Sequence, residues 1–303
     1  MDGRTTEKAA KPTLTPAQRK KRQAKRNAIL RAAVQTVFFF SMPGAFVAGF
    51  SGAKSLARAI GAGQPLSWTG FTAALAVLCA FTILFGRFFC GYVCAFGSLG
   101  DLVWRLSGLV QTGLLRRKKR LRLPERFTPW GQKLKYVVLA GLLLLSALGL
   151  EGRVNSFSPW SVFSFFMALR FDLSGYWAGF AVLLLIVIGM AFKERFFCQF
   201  LCPMGAIFSL LPLPPFASLR RDPENCIPRC QACRMKCPVD IKLEPDGFRN
   251  GECIGCERCA DVCPRSNLTR WDRRLLHGGA ASVLIRAGLF FALGVWLGLC
   301  RFL

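Results

Sequence analysis

Fourteen cysteines and a single histidine among 303 residues set the chemistry this sequence can offer. Eight of the cysteines form two runs, Cys226-x3-Cys230-x2-Cys233-x3-Cys237-Pro238 and Cys253-x2-Cys256-x2-Cys259-x3-Cys263-Pro264. The second run matches the bacterial iron–sulfur spacing at every position. Three closely spaced thiolates wrap three corners of a [4Fe-4S] cubane, and a fourth, turned away by the following proline, reaches a neighbouring cluster. Ligation is then crossed: Cys253, Cys256, Cys259 and Cys237 hold one cluster, and Cys226, Cys230, Cys233 and Cys263 the other. The extra residue between Cys226 and Cys230 asks for a wider loop at that corner. Zinc sites of four cysteines pair two Cys-x2-Cys knuckles across a longer gap, which this layout of triplets and Cys-Pro steps fits poorly. Disulfides would need an oxidising compartment, and the charge pattern described below places this segment in a reducing one. Two cubanes in one small domain point to one-electron relay rather than substrate chemistry.

Four further cysteines lie in an internal repeat. RFFCGYVCAFGSL at 87–99 recurs 108 residues later as RFFCQFLCPMGAI at 195–207, which points to duplication of one unit. Cys90 and Cys94, like Cys198 and Cys202, are four residues apart and share one helix face. Contact with a quinol headgroup, ligation of a further metal centre and a redox-active thiol pair all suit such a pair, as does plain packing of small apolar residues at a helix end. These four are the candidates for the quinol-proximal site. Arg87 and Arg195, which open the two copies, read as interfacial anchors or holders of anionic headgroups. Cys79 and Cys300 stand alone in apolar runs and read as packing residues.

Other cofactors are not indicated. His277 alone cannot supply the two imidazoles of a bis-His haem, and no Cys-x-x-Cys is followed by His. Gly61-Ala62-Gly63 follows no strand and lacks the third glycine of a dinucleotide fingerprint, so flavin and NAD are not expected.

The elements that must carry these residues are apolar helices. The chain is 53% hydrophobic, and near-continuous apolar runs at 32–50, 69–86, 136–150 and 176–192 are each about long enough to cross a bilayer core. Pro43 and Gly44 interrupt the first, predicting a kink or an early end there. A fifth run, 280–300, contains Arg286 six residues from its start, from where it could snorkel to the nearer headgroups. The four main runs contain no Asp or Glu, which argues against a proton-pumping path through the bundle. Glu151, Asp172 and Glu194 lie near their ends and could accept protons.

Charge sets the expected orientation. The net charge is +25, from 41 basic and 16 acidic side chains. Residues 1–31 carry ten Lys or Arg, and residues 105–135 another ten, whereas 51–68 and 151–175 carry two each. By the positive-inside rule the first two segments and the ferredoxin-like segment are cytoplasmic, and the other two lie outside. The basic tail lacks interleaved aromatics, so lipid contact is expected over nucleic acid, with the tail disordered or weakly helical on the lipid surface. The expected organisation is a basic tail at 1–31, a first transmembrane hairpin at 32–104, a basic loop at 105–135, a second hairpin at 136–211, a 2[4Fe-4S] domain at 212–276 and a C-terminal transmembrane helix at 277–303. The fold class is thus an α-helical integral membrane protein of two duplicated hairpins with a small bacterial-type 2[4Fe-4S] ferredoxin domain.

Over roughly residues 30–265 these motifs resemble the membrane-bound polyferredoxins of the NapH type and the similar MauN proteins. The resemblance implies a multi-pass protein of the bacterial inner membrane with two cytoplasmic [4Fe-4S] clusters, oxidising quinol and passing electrons to a redox partner protein. Cys198, Cys202 and Pro203 match the family's Cys-x3-Cys-Pro motif, whereas Ala95 stands where the first copy would have proline. A fifth span would exceed the family's usual four. Related polyferredoxins include assembly factors, so the alternative is a maturation factor for a periplasmic or membrane redox enzyme.

Overall fold

A computed structural model of the chain describes residues 15–116, 120–124, 127–170, 175–212, 214, 217, 219–222, 224–241, 251–275 and 279–300. The first fourteen residues of the basic tail, Asp172 and His277 lie outside the described residues.

Helix α1 (Pro16–Ser41) begins with a capping box in which Thr15 and Gln18 exchange side-chain and backbone hydrogen bonds, with Pro16 at the first helical position. It ends at Met42, and α2 (Ala45–Gly61) leaves at 61° after the Pro43–Gly44 break that the sequence announces. The segment expected on the lipid surface is instead docked through Lys20, Asn27 and Arg31. Lys20 donates to the Cys263 carbonyl, Asn27 donates to Asp261 at 2.7 Å, and the buried Arg31 pairs with Asp261 at 3.3 Å. A basic helix beside an acidic carboxylate and free carbonyls gains more there than in solvent.

Helix α3 (Gly70–Phe85) leads through a π-helical turn at Phe89–Val93 into α4 (Ala95–Leu109), and the second copy repeats the plan. Between the copies lie α5 (Thr128–Ala147), α6 (Glu151–Val154) and α7 (Pro159–Met167). The second copy then comprises α8 (Trp177–Phe192), α9 (Phe196–Phe200) and α10 (Pro203–Leu210). Packing crosses between the copies. Helix α4 lies on α8, whereas α5, expected as the hairpin partner of α8, packs chiefly on α2, α9 and α10, and α8 takes α7 as its neighbour. Glu151, just beyond α5, pairs with Arg58 of α2.

The C-terminal third adds α11 (Ala232–Met235), α12 (Arg258–Val262), α13 (Trp271–Leu275) and α14 (Gly279–Trp296). A two-residue antiparallel ribbon ties its ends, β1 (Arg220–Arg221) to β2 (Leu268–Thr269), with Arg220 opposite Thr269.

By length and composition α14 is the one described helix that could cross a membrane alone, and α1 with α2 qualifies if counted as one bent span. Helices α3 and α8 are apolar but 16 residues each, about 24 Å at ~1.5 Å per residue against a hydrocarbon core of about 30 Å. Large apolar side chains nevertheless face outward on all of them, including Phe71, Leu84, Leu184, Leu185, Leu284 and Ile285.

Arg286 does not snorkel from α14. It is buried, with Nη2 2.7 Å from Glu257, Nε 3.1 Å from Asp272 and its guanidinium 4.7 Å from the Phe88 ring centroid. Two carboxylates and an aromatic face compensate the charge inside, and the helix is thereby fastened to the cysteine-rich domain.

Candidate functional site

The cysteine-rich domain is wound by short helices separated by residues in the left-handed region, among them Arg229, Asp240, Glu257 and Ser266. Such turns are strained for non-glycine residues and recur where a chain must wrap a site closely. The eight cysteines line two cavities. One is bordered by Cys233, Cys237, Cys253, Cys256 and Cys259, the other by Cys226, Cys230, Cys233 and Cys263, so that Cys233 lines both. Each sulfur set is approached by main-chain donors. The Asn267 N–H lies 3.4 Å from the Cys263 sulfur, the Val239 and Ile241 amides approach Cys237, and the Gly255 amide approaches Cys253.

These features fit iron–sulfur ligation. Burial pushes the Cys237 thiol up to about 12, and burial likewise raises Cys253 and Cys259. Sulfurs so placed are weak free nucleophiles at neutral pH, and a bound cation is what would make their thiolate form favourable. None of the fourteen cysteines is joined in a disulfide.

The first cavity touches the helical repeat directly. It is also lined by Gly86 and Arg87, and a Cβ on Gly91 would lie 2.6 Å from the Ile254 carbonyl. Gly255, at φ +66°, leaves room in turn for the Arg87–Phe88 backbone. Main chain therefore meets main chain between the first Cys-x3-Cys turn and the Cys253–Cys256 loop.

The four repeat cysteines come together in the buried core, each 5–8% exposed. Cys90, Cys94 and Cys198 all lie close enough to Cys202 for their charges to act on it. Cys94 and Cys202 sit at the N-caps of α4 and α10, and Cys202 Sγ accepts from the Gly205 N–H at 3.2 Å.

Arg87 and Arg195 are not interfacial anchors; both are 1% exposed and each reaches across to the other copy. Arg195 donates to the Cys90 carbonyl at 2.6 Å and clasps Asp101 through Nε and Nη2. Arg87 Nη2 would lie 3.1 Å from a Cβ on Gly205, and its Nη1 donates to the Gly251 carbonyl at 2.6 Å. Asp101 is completed by Gln35 at 2.8 Å and Arg258 at 3.4 Å. On the Arg87 side, Glu252 pairs with Arg87 and with the fully buried Lys135. Lys135, expected in a basic cytoplasmic loop, is thus an internal cation on α5. Arg270 and Arg286 share Glu257 and Asp272 nearby.

Asp101, Gln35, Lys135, Glu252 and Glu257 carry no local motif. A lone carboxylate at 101 followed by a guanidinium three residues before Cys198 is visible in the sequence, yet nothing there says they pair. Cys79 and Cys300 are half-buried and belong to the apolar packing, as expected. Glu194 pairs with Arg258.

A further cavity lies toward the other end of the bundle, lined by Phe46, Phe50, Ser146, Glu151 and Trp160. Ser146 Oγ, Trp160 Nε1 and Glu151 Oε1 are buried there without hydrogen-bond partners. Aromatic rings link it to the cysteines: Trp160 to Phe46 at 6.1 Å, Phe46 to Phe197 at 6.1 Å and Phe197 to Phe96 at 4.8 Å, with Phe197 next to Cys198 in the chain.

Known proteins share this pattern. A 4Fe-4S binding domain family matches residues 66–122 and 176–213, covering both copies of the repeat, and a second 4Fe-4S binding domain family matches 248–269. An uncharacterized protein of Methanocaldococcus jannaschii is 30% identical over 240 residues, 79% of this chain and 81% of the relative. The putative electron transport protein YccM of Escherichia coli is 28% identical over 245 residues, 74% of this chain and 67% of YccM. The ferredoxin-type protein NapH of Escherichia coli is 24% identical over 227 residues, 71% and 73% of the two chains. No solved structure matches.

Proposed function

This chain belongs to the family of NapH-like polyferredoxins, and from that premise we propose that it is a membrane-bound electron carrier, drawing on the quinol pool and serving a redox partner protein. Iron–sulfur electron transfer is the common property of the family. The donor, the membrane setting and the direction are the proposal.

One observation carries the reading: the Cys237/Cys253/Cys256/Cys259 cavity rests on the backbone of the first Cys-x3-Cys turn, at Gly91 and Arg87. Cys253, Cys256, Cys259 and Cys237 would hold one [4Fe-4S] cluster and Cys226, Cys230, Cys233 and Cys263 the second. Each would supply a reversible one-electron acceptor. Arg87, Arg270 and the loop amides hold positive charge and donors around the first sulfur set, which favours an added electron.

The outward apolar faces of α3, α8 and α14 support a lipid setting. The cavity of Phe46, Phe50 and Trp160 suits a flat, apolar quinol ring, with Ser146 and Trp160 offering polar atoms that lack partners. Oxidation of one quinol releases two electrons and two protons. The free Glu151 oxygen is placed to take the first proton, and water at the cavity mouth the second. Basic residues on the cytoplasmic-domain side, including Arg220, Arg229 and Lys236, suit docking to an acidic redox partner.

Membranes bearing the protein, given a short-chain quinol under anaerobic conditions, should develop the EPR signals of reduced [4Fe-4S] clusters. A maturation factor for another redox enzyme would instead leave that enzyme present but immature when this chain is deleted, whereas loss of a relay leaves a mature enzyme that works with artificial donors.

A further inference from the structure

Outside both sulfur cavities, a polar cleft of about 410 Å³ opens where the helical bundle meets the ferredoxin domain. We propose that it binds the phosphodiester headgroup of an anionic phospholipid whose acyl chains lie along α8. A lipid there presupposes the membrane setting proposed above, but not quinol as the donor.

Charge sets the sign of the ligand. Six cations and three carboxylates line the cleft. Each carboxylate is already matched: Glu194 by Arg258, Asp240 by Lys193 and Asp261 by Arg31. Among the described residues, Arg105, Arg122 and Lys236 have no carboxylate partner. Three unmatched cations in one concavity hold a positive potential that an anion relieves. Arg31, which also borders the cleft, adds an independent sign. Its side chain is 4% exposed, yet Nε is buried with no hydrogen-bond partner. A guanidinium N–H left unpaired inside costs free energy that a ligand oxygen recovers.

The cations are held in place. The Leu123 N–H donates to the Phe192 carbonyl at the end of α8 at 3.1 Å, and the Leu121 N–H donates to Gln111 Oε1 at 2.7 Å. The segment between them therefore stands fixed across the mouth of the cleft. Trp104, near the end of α4, takes the Arg120 guanidinium 3.3 Å and that of Arg122 5.5 Å from its ring centroid. Partial burial and then the Arg122 charge hold the Arg120 guanidinium below its ordinary value, as expected of crowded cations. Side chains already ordered on an aromatic face lose little further freedom when they bind.

Shape identifies the anion as a lipid. Leu184, Ile188 and Phe192 stand at four-residue spacing on α8, 50%, 46% and 38% exposed, and Phe192 lines the cleft. An exposed apolar stripe thus runs into a cationic concavity. Acyl chains cover the stripe and an anionic headgroup answers the cleft, as in basic pockets at the cytoplasmic ends of membrane helices. The planar fork of arginine suits the oxygens of a phosphate ester. A soluble anion would leave the stripe bare. Cys237 lines both this cleft and the first sulfur cavity, so the headgroup would lie beside a ligand of the first cluster.

The test is thermal unfolding of the full-length chain purified in a neutral detergent, with phosphatidylglycerol, phosphatidylcholine or inorganic phosphate added. Phosphatidylcholine carries the same phosphodiester with its charge cancelled by an ammonium. We expect phosphatidylglycerol to raise the midpoint by about 2–4 °C and the other two to leave it in place. Arg105→Gln/Arg122→Gln, which alters two exposed side chains without ion-pair partners, should keep the lipid-free midpoint and lose the rise. An equal rise with phosphatidylcholine would mean a general apolar coat, and an equal rise with inorganic phosphate a site for soluble phosphate. Either overturns the proposal, as does a rise undiminished in the variant or no rise at all. The comparison on the unmodified chain decides even if the variant fails to fold. A chain that stays in solution without detergent would remove the membrane setting itself, whereas one that needs detergent and ignores phosphatidylglycerol removes only this site.

Discussion

Arg195 binds Asp101 through two parallel hydrogen bonds, Nε to Oδ1 at 2.8 Å and Nη2 to Oδ2 at 2.7 Å, with both residues at most 3% exposed. Arg195 opens the second copy of the repeat and Asp101 lies in the helix that closes the first. The pair therefore locks the copies together beside the four core cysteines. Because Arg258 reaches the same carboxylate, the lock extends into the ferredoxin domain.

Removing one partner of such a pair strands a buried charge, at a cost of about 3–5 kcal/mol. Asp101→Ala should lower the thermal midpoint of the purified protein sharply and Asp101→Asn less. Asp101→Leu/Arg195→Met should recover much of the loss, since an apolar pair of similar volume leaves only Arg258 behind, which keeps its pairing with Glu194. A double variant as unstable as Asp101→Ala would show that the pair does more than neutralise itself.

Gly97 is the small residue that lets Arg195 through: an added Cβ would collide with Nη1, while on Gly205 it would stand 3.1 Å from Arg87 Nη2. Gly97→Ala should therefore destabilise more than Gly205→Ala. Gly141→Ala, with nothing within 4 Å, should be neutral or stabilise the helix by about 0.5–1 kcal/mol. Equal effects at 97 and 205, measured by thermal unfolding, would contradict the crossing of the two arginines.

The anchor of α14 has a defined pH behaviour. Burial opposes the charge of Asp272, but the hydrogen bond and charge of Arg270, with help from Arg286 and Ser282, outweigh it and hold its carboxyl below the usual carboxylate range. Its stabilisation is then complete above the unfolded value of about 3.9 and is lost only as pH falls through the lower folded value. The stability gap between the unmodified protein and Asp272→Asn should stay constant from about pH 8 to 5. A gap that narrows steadily over that range would mean that the folded carboxyl is raised instead.

Glu151 tests the quinol cavity. Glu151→Gln keeps the size of the side chain and removes the proton acceptor, so reduction by quinol should slow by on the order of 10²-fold. Reduction by dithionite, which brings no proton to that cavity, should be unchanged. Unaltered quinol kinetics would move the site elsewhere in the bundle.

The cysteine chemistry and the break at Pro43–Gly44 were legible in the sequence because spacing and backbone restriction are local signals. The repeat at 87–99 and 195–207 was legible as duplication, but not the way Arg87 and Arg195 cross between copies. Ion pairs such as Lys135 with Glu252 or Arg286 with Glu257 join residues far apart in the chain, and no periodicity records them. The apolar run at 136–150 predicted a helix correctly and its neighbour incorrectly, since hydropathy says that a face is buried or lipid-exposed without naming what covers it. Arg286 looked like a headgroup seeker because its carboxylate partners Glu257 and Asp272 sit in another domain.

The most direct measurement is anaerobic EPR of membranes containing the full chain after addition of a short-chain quinol. The account predicts signals of reduced [4Fe-4S] clusters that diminish in Cys256→Ser. Membranes that stay silent with quinol, yet develop those signals with dithionite, would contradict it.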